Sequence, residues 1–210
     1  MRVIKTSDIV DEAVISEVVA ELKAGGIVAF PTETFYGLGA IWSDTTALSR
    51  LFRLKRRTKD KPVPLIISDV SVLSAVAATP EKIALSIIEK FWPGPLTILF
   101  AAKAGLPKLI TGGTGKVALR VPGKSFALYV ARTAGTPVTA TSANISGEAP
   151  ARSADEVIRY FGEDIDIVID SGPAPGEKPS TIIDMSGGTI RLVREGVIPY
   201  DEILKAARNR

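Results

Sequence analysis

A chain of 210 residues with 46% hydrophobic and 23% charged residues can build one sizeable core, and its 26 basic against 23 acidic residues leave a net charge of only +3. It contains no cysteine and no histidine. That excludes disulfides, thiolate or imidazole metal sites, a Cys nucleophile and a Ser–His couple, so proton transfer falls to carboxylates, lysine, tyrosine, water or the substrates.

The start carries Asp8, Asp11 and Glu12 where a signal peptide needs an apolar run, and no apolar stretch reaches the ~20 residues of a membrane span. A soluble, cytoplasmic protein with no membrane partner is expected. Val14, Val18 and Leu22, with Ile15 and Val19 beside them, give the stripe of an amphipathic helix that Gly25-Gly26 ends. Residues 27–31 read as a buried strand. Asp44 can cap a helix through about Lys55 whose inner face carries Leu48, Leu51 and Phe52. Residues 63–67 form the next strand candidate. Thr79-Pro80-Glu81 opens a helix with a capping residue, a proline at its first position and an acid in its first turn, and Trp92-Pro93-Gly94-Pro95 breaks it.

Strands follow at 96–100 and 117–121, a helix at 126–134 and a strand at 137–141. Ser153-Ala154-Asp155-Glu156 is a capping box for a helix through about Phe161. Strands at 165–169, 181–185 and 190–193 come next, the last two joined by the hairpin signal Gly187-Gly188, and Pro199 opens a final short helix. Interleaved helices and strands with occasional hairpins predict a three-layer α/β domain with a mixed sheet. The loop Ser171–Pro179 reads equally as a lid or as a plain connection.

Four segments place polar groups at the ends of apolar elements. Thr32-Glu33-Thr34 leaves a buried strand just before Gly37 and Gly39; strand ends in α/β sheets are where ligands bind, although a polar turn reads the same way. Lys55, Arg56, Arg57, Lys59 and Lys61 put five cations into seven residues, as a solvated surface or as a grip on RNA or a triphosphate. Thr139–Asn144 offers short hydroxyl and amide groups, and Pro179–Asp184 does so again with Arg194 following in the next strand. Arg120 is a lone cation in the apolar strand Ala118–Pro122, with no acid nearer in sequence than Glu89 and Glu148. A buried cation needs an anion: a substrate carboxylate, or a structural Asp or Glu brought in by the fold. Gly112–Lys116 is glycine-rich but wrongly spaced for a P-loop.

In order, GGIVAFPTETFYGLGA, LKRRTKDKP, FWPGPLT, VALRVP, TATSANISGEAP and PSTIID closely resemble the threonylcarbamoyl-AMP synthases of the YrdC/Sua5/TsaC family, over about residues 8–200. The resemblance implies a YrdC/RibB-like α/β fold: a twisted mixed sheet of about seven strands, flanked by helices, around a basic concave cleft. It implies a single domain over 1–210, similar to the short TsaC/YrdC type and without a C-terminal Sua5 domain. The implied activity is that of a nucleotidyltransferase, joining L-threonine, bicarbonate or CO2 and ATP into threonylcarbamoyl-AMP and pyrophosphate for the modification of tRNA position 37. ATP acts as a substrate with Mg2+, no metal is tightly held by the protein, and the product passes to a tRNA threonylcarbamoyl-transfer complex, with RNA or tRNA contact in prospect.

The same resemblance assigns residues. The family's KxR…SxN set falls on Lys55, Arg57, Ser142 and Asn144 as catalytic groups. L-threonine contacts carry over to Thr34, Arg120, Ala140 and Ser180, and ATP contacts to Arg57, Lys61, Lys116, Ser142, Pro150 and Arg194. Ala140 and Pro150 can offer no side-chain hydrogen bond. Some relatives have His where this chain has Ile66, and Asn where it has Lys61. The rival readings are a non-enzymatic binder of double-stranded RNA using the same basic cleft, in which Arg120 has no task, and the carbamoyl-adenylate chemistry of hydrogenase-maturation proteins, whose companion modules this chain lacks.

Overall fold

The computed structural model describes residues 1–208; Asn209 and Arg210, the last residues of the expected 1–210 domain, lie outside the described residues. Among the described residues eleven strands form two mixed sheets. The first runs β1 (Arg2–Lys5), β9 (Ile167–Asp170), β2 (Val28–Pro31), β3 (Tyr36–Gly39) and β8 (Thr141–Ser142). The second runs β11 (Arg191–Arg194), β10 (Thr181–Asp184), β5 (Leu96–Ala101), β6 (Lys116–Arg120), β4 (Leu65–Ile66) and β7 (Val138–Thr139). The mixed α/β class stands, but the expected count of about seven strands does not. Two strands, β1 and β3, were hidden in short or glycine-bearing segments. The expected strand at 137–141 divides at Ala140: β7 pairs with β4 in one sheet and β8 with β3 in the other. A single chain step therefore stitches the sheets together, and the Ile41–Val138 bridge adds a second contact.

The helices follow from their caps and stripes. In α1 (Glu12–Lys23) the Asp11 carboxylate accepts from Val14 N, and Ile15, Val18, Val19 and Leu22 are buried. In α2 (Thr45–Leu54) Asp44 accepts from Thr46 N and Ala47 N, and the buried face carries Leu48, Leu51 and Phe52. After α3 (Leu73–Val76), α4 spans Lys82–Phe91 and begins later than Thr79-Pro80-Glu81 suggests. The reason is local: Ala77 bridges to Ala102 and Ala78 N donates to Ala101 O, which holds the preceding chain extended. α5 (Lys108–Thr111) and α6 (Phe126–Ala134) each end at a left-handed glycine, Gly112 or Gly135. In α7 (Ala154–Phe161) Ser153 caps Glu156 N, while Glu156 reaches back to Arg152 N rather than Ser153 N. α8 is Tyr200–Arg208.

α1 and α6 cover one side of the first sheet with Val18, Leu22, Phe126 and Val130 against Val28, Phe30 and Ile167. α4 and α8 cover the outer face of the second through Ile87, Ile88 and Ile203 against Ile98, Leu119 and Ile183. The inner faces are left to enclose a cleft. No helix among the described residues is long and apolar enough to cross a membrane.

Candidate functional site

A cavity of about 290 Å³ lies where the sheets meet. Alternation along the strands decides what faces it. On β5, Thr97 and Leu99 look inward while Ile98 and Phe100 enter the core; on β6, Ala118 and Arg120 look inward while Val117 and Leu119 do not. The first sheet supplies Thr32, Thr34, Tyr36 and Gly37 from the β2–β3 reversal and Thr141 and Ser142 from β8. That reversal closes on the Thr32 hydroxyl, which donates to Phe35 O at 2.8 Å and accepts from Thr34 N at 3.0 Å.

Arg120 is 5% exposed, and the acid beside it is Glu33, with Nη1 3.3 Å from Oε1. The fold thus brings in a structural acid from a segment distant in sequence. The match is incomplete, because both Glu33 oxygens are buried without a hydrogen-bond partner among the described residues. The Arg120 side chain likewise makes no hydrogen bond among the described residues, so its guanidinium keeps unused donors on a cavity wall.

Arg194 is aimed differently. β10 shifts register between Ile182 and Ile183 as it pairs with β11, and Arg194 folds back over β10. Its Nε and Nη2 donate to Ser180 O at 3.2 and 2.8 Å, and Nη2 reaches Ser180 Oγ at 3.2 Å. Burial, and then the nearby charge of Arg120, push the Arg194 pKa downward. Two guanidiniums sharing one desolvated space favour an anion between them.

The cation run separates into three fates. Lys55 is 1% exposed and does not line the cavity: its Nζ donates to Ser142 O, to Asn144 O at 2.7 Å and to Asn144 Oδ1 at 3.4 Å. Asn144 sits behind the wall too, its Nδ2 donating to Ile145 O and Glu148 O, and its Oδ1 accepting from Ser142 Oγ at 2.5 Å. Both therefore shape the turn that presents Ser142, and neither lines the cavity. Arg57 does line the cavity, steered by a left-handed Arg56 (φ 49°) and by its own bond from Nη2 to Pro62 O at 2.7 Å. Arg56, Lys59 and Lys61 are exposed.

Thr34, Ala140, Ser180 and Pro150 all line the cavity. Ala140 N already donates to Pro64 O at 3.0 Å, leaving its carbonyl for a ligand. Lys61 and Lys116 do not line it; Lys116 lies farther along the Arg120 face of β6 and pairs with Asp184 at 2.5 Å. Ile66 sits beside Arg120 in register. Glu33 stood out in the sequence only as one of three polar residues at a strand end, with nothing to tie it to Arg120, and only the alternation of Leu96, Ile98 and Phe100 along β5 could have marked the inward Thr97. Residues 171–179 are seated rather than free: Tyr36 Oη donates to Gly172 O at 2.7 Å, Ala174 N donates to Arg152 O, and a Cβ on Gly176 would come within 2.1 Å of Thr34 O. A second hollow of about 500 Å³ borders Arg53, Arg56 and Tyr160, but Glu163 and Asp164 line it as well, and Arg50 there is committed to Asp166.

Residues 20–196 match the Sua5/YciO/YrdC family model, described as telomere recombination. The chain is 38% identical over 184 residues to the threonylcarbamoyl-AMP synthase of Pyrococcus abyssi, covering 88% of this chain and 54% of that relative. It is 39% identical over 182 residues to the threonylcarbamoyl-AMP synthase of Alkalilimnicola ehrlichii, covering 84% of this chain and 93% of that relative. The solved structure of P. abyssi Sua5 complexed with L-threonine superposes with a TM-score of 0.93 at 35% identity, covering 98% of this chain and 61% of that one. The chain thus spans about half the length of the Pyrococcus relative and nearly all of the Alkalilimnicola one.

Proposed function

The chain belongs to the Sua5/YciO/YrdC family, and from that membership we propose that it makes threonylcarbamoyl-AMP from L-threonine, bicarbonate or CO2, and ATP. The threonine amine takes up the one-carbon unit as a carbamate, and a carbamate oxygen then displaces pyrophosphate from the α-phosphorus. The reaction calls for binding an amino-acid carboxylate and a polyphosphate side by side and for stabilising charge on phosphoryl oxygens. The observation that carries the reading is the pairing of Arg120 and Arg194 across one desolvated cavity of about 290 Å³ walled by Thr and Ser hydroxyls.

In this reading Arg120 receives the carboxylate, with Thr34, Ser180 and the Ala140 carbonyl around the amino acid. Arg57, Arg194 and Ser142 face the nucleotide beside Pro150, with Lys61 and Lys116 reaching from outside the wall. Lys55 and Asn144 act one step back by fixing the turn at Ser142. Positioning supplies the rate, since no protein nucleophile is required. Mg2+ would arrive with ATP, held by its phosphates and water. The product is a mixed anhydride for a tRNA threonylcarbamoyl-transfer partner.

Pyrophosphate release from MgATP tests this: it should require both L-threonine and bicarbonate. Release independent of L-threonine would overturn the proposal. RNA binding alone, without turnover, would favour the rival use of the basic surface.

A further inference from the structure

One rung of the six-stranded sheet crosses the floor of the cleft. Ile182 of β10 stands beside Thr97 of β5 on one side and Arg194 of β11 on the other. Ile98 pairs with Leu119, so the next step along these antiparallel strands sets Thr97 opposite Arg120. Arg120, Thr97, Ile182 and Arg194 all line the cavity. A hydroxyl therefore sits between two guanidiniums, in a floor otherwise made by Leu99, Ala118 and Ile182.

Thr97 is 3% exposed, and its one side-chain hydrogen bond among the described residues is to Ser180 Oγ at 3.0 Å. Ser180 Oγ also accepts from Arg194 Nη2. The two hydroxyls own two protons and use one between them. Whichever of them donates, the other keeps an O–H with no protein acceptor among the described residues. Such a buried, unused donor is costly unless a ligand accepts from it. Arg194 is committed to the Ser180 carbonyl, whereas Arg120 holds unused donors directly beside Thr97. A fork plus an adjacent hydroxyl can meet both oxygens of a planar carboxylate.

We propose that Thr97 is a substrate-contacting residue that, together with Arg120, holds the α-carboxylate of the amino-acid substrate. Ser180 couples it to Arg194, so the carboxylate end and the phosphate-facing cation are fixed by one hydrogen-bonded chain. This rests on the threonine-adenylating reading above.

Thr97→Val removes the hydroxyl and keeps the buried β-branched shape; Thr97→Ser keeps the hydroxyl. Calorimetric titration of each with L-threonine and, separately, with MgATP reads the contact. The expected result is L-threonine affinity about tenfold or more weaker in Thr97→Val, nearly unchanged in Thr97→Ser, and MgATP affinity within about twofold in both. Should Thr97→Val not fold, Thr97→Ala carries the same expectation. Normal L-threonine affinity in the variant without the hydroxyl would overturn the assignment, and so would a loss confined to MgATP, which would move the hydroxyl to the phosphates. A wild-type chain that binds no L-threonine would overturn the underlying reading and this one with it, an outcome distinct from the other two.

Discussion

Lys55 and Arg120 are both buried cations, yet their surroundings differ in kind. Around Lys55 the protein supplies every acceptor: two carbonyls and an amide oxygen meet its three protons. Around Arg120 it supplies one carboxylate at 3.3 Å and no hydrogen bond among the described residues. A cation satisfied by its own chain holds structure together, while one left with donors on a cavity wall is ready for a ligand. The positive end of this cleft is divided accordingly between a clamp behind the wall and a receptor on it.

The largest effect expected is on the receptor side. Arg120→Ala leaves the Glu33 carboxylate buried without a counter-charge, and denaturant unfolding should show a loss of about 3 kcal/mol or more. Adding Glu33→Gln to the same chain should recover much of it. An Arg120→Ala protein as stable as wild type would mean that Glu33 does not depend on this partner.

Lys55→Met comes next. It strips a donor from Asn144 O and from Ser142 O, which keeps Asn144 N at 3.0 Å, and unfolding should show a loss of about 1–3 kcal/mol for the bared Asn144 carbonyl. Pyrophosphate release should fall alongside, because Ser142 lines the cavity on the turn that Lys55 holds. Turnover down about 100-fold with stability unchanged would instead make Lys55 a direct transition-state cation and erase the contrast with Arg120.

A third expectation concerns pH. Burial, and then the neighbouring Arg57 charge, pull Lys55 from 10.5 down to about 7, while the oxygens around Nζ hold its proton and oppose that fall. Between those two values the unfolded chain binds more protons than the folded one, so stability rises as pH climbs through this window, by at most about 1.4 kcal/mol per unit. Below about 7 the contribution is constant. Lys55→Met should flatten the rise; an unaltered slope would show that Lys55 stays charged throughout.

The smallest effect belongs to the exposed end of the run. Lys61→Ala should change stability by no more than about 0.5 kcal/mol. Any weakening of MgATP binding should fade as salt is raised, as for a solvent-screened contact. A large, salt-independent loss would bring Lys61 into the cavity.

Much of this was readable from local chemistry. Asp44 and Ser153 announced their helices because a cap needs only its own next few residues. The motifs around Thr34, Arg57, Ser142, Ser180 and Arg194 converge because strand ends and turns concentrate at the meeting of the sheets. What could not be read was long-range. Whether a lysine in a charge run faces solvent or a ring of carbonyls depends on where residues 142–146 fold. Lys55 and Lys61 differ little in local pattern and greatly in environment. The Glu33–Arg120 pair and the Thr97 rung arise from strand order, which alternation alone does not specify. The split of 137–141 between two sheets follows from pairing partners, not from propensity.

The contrast between clamp and receptor is tested most directly by Arg120→Lys, titrated with L-threonine and with MgATP. The substitution keeps the charge opposite Glu33 and removes the fork. L-threonine affinity should fall by about tenfold or more while MgATP affinity changes little, because the phosphates are assigned to other cations. Normal L-threonine affinity in Arg120→Lys would contradict the account.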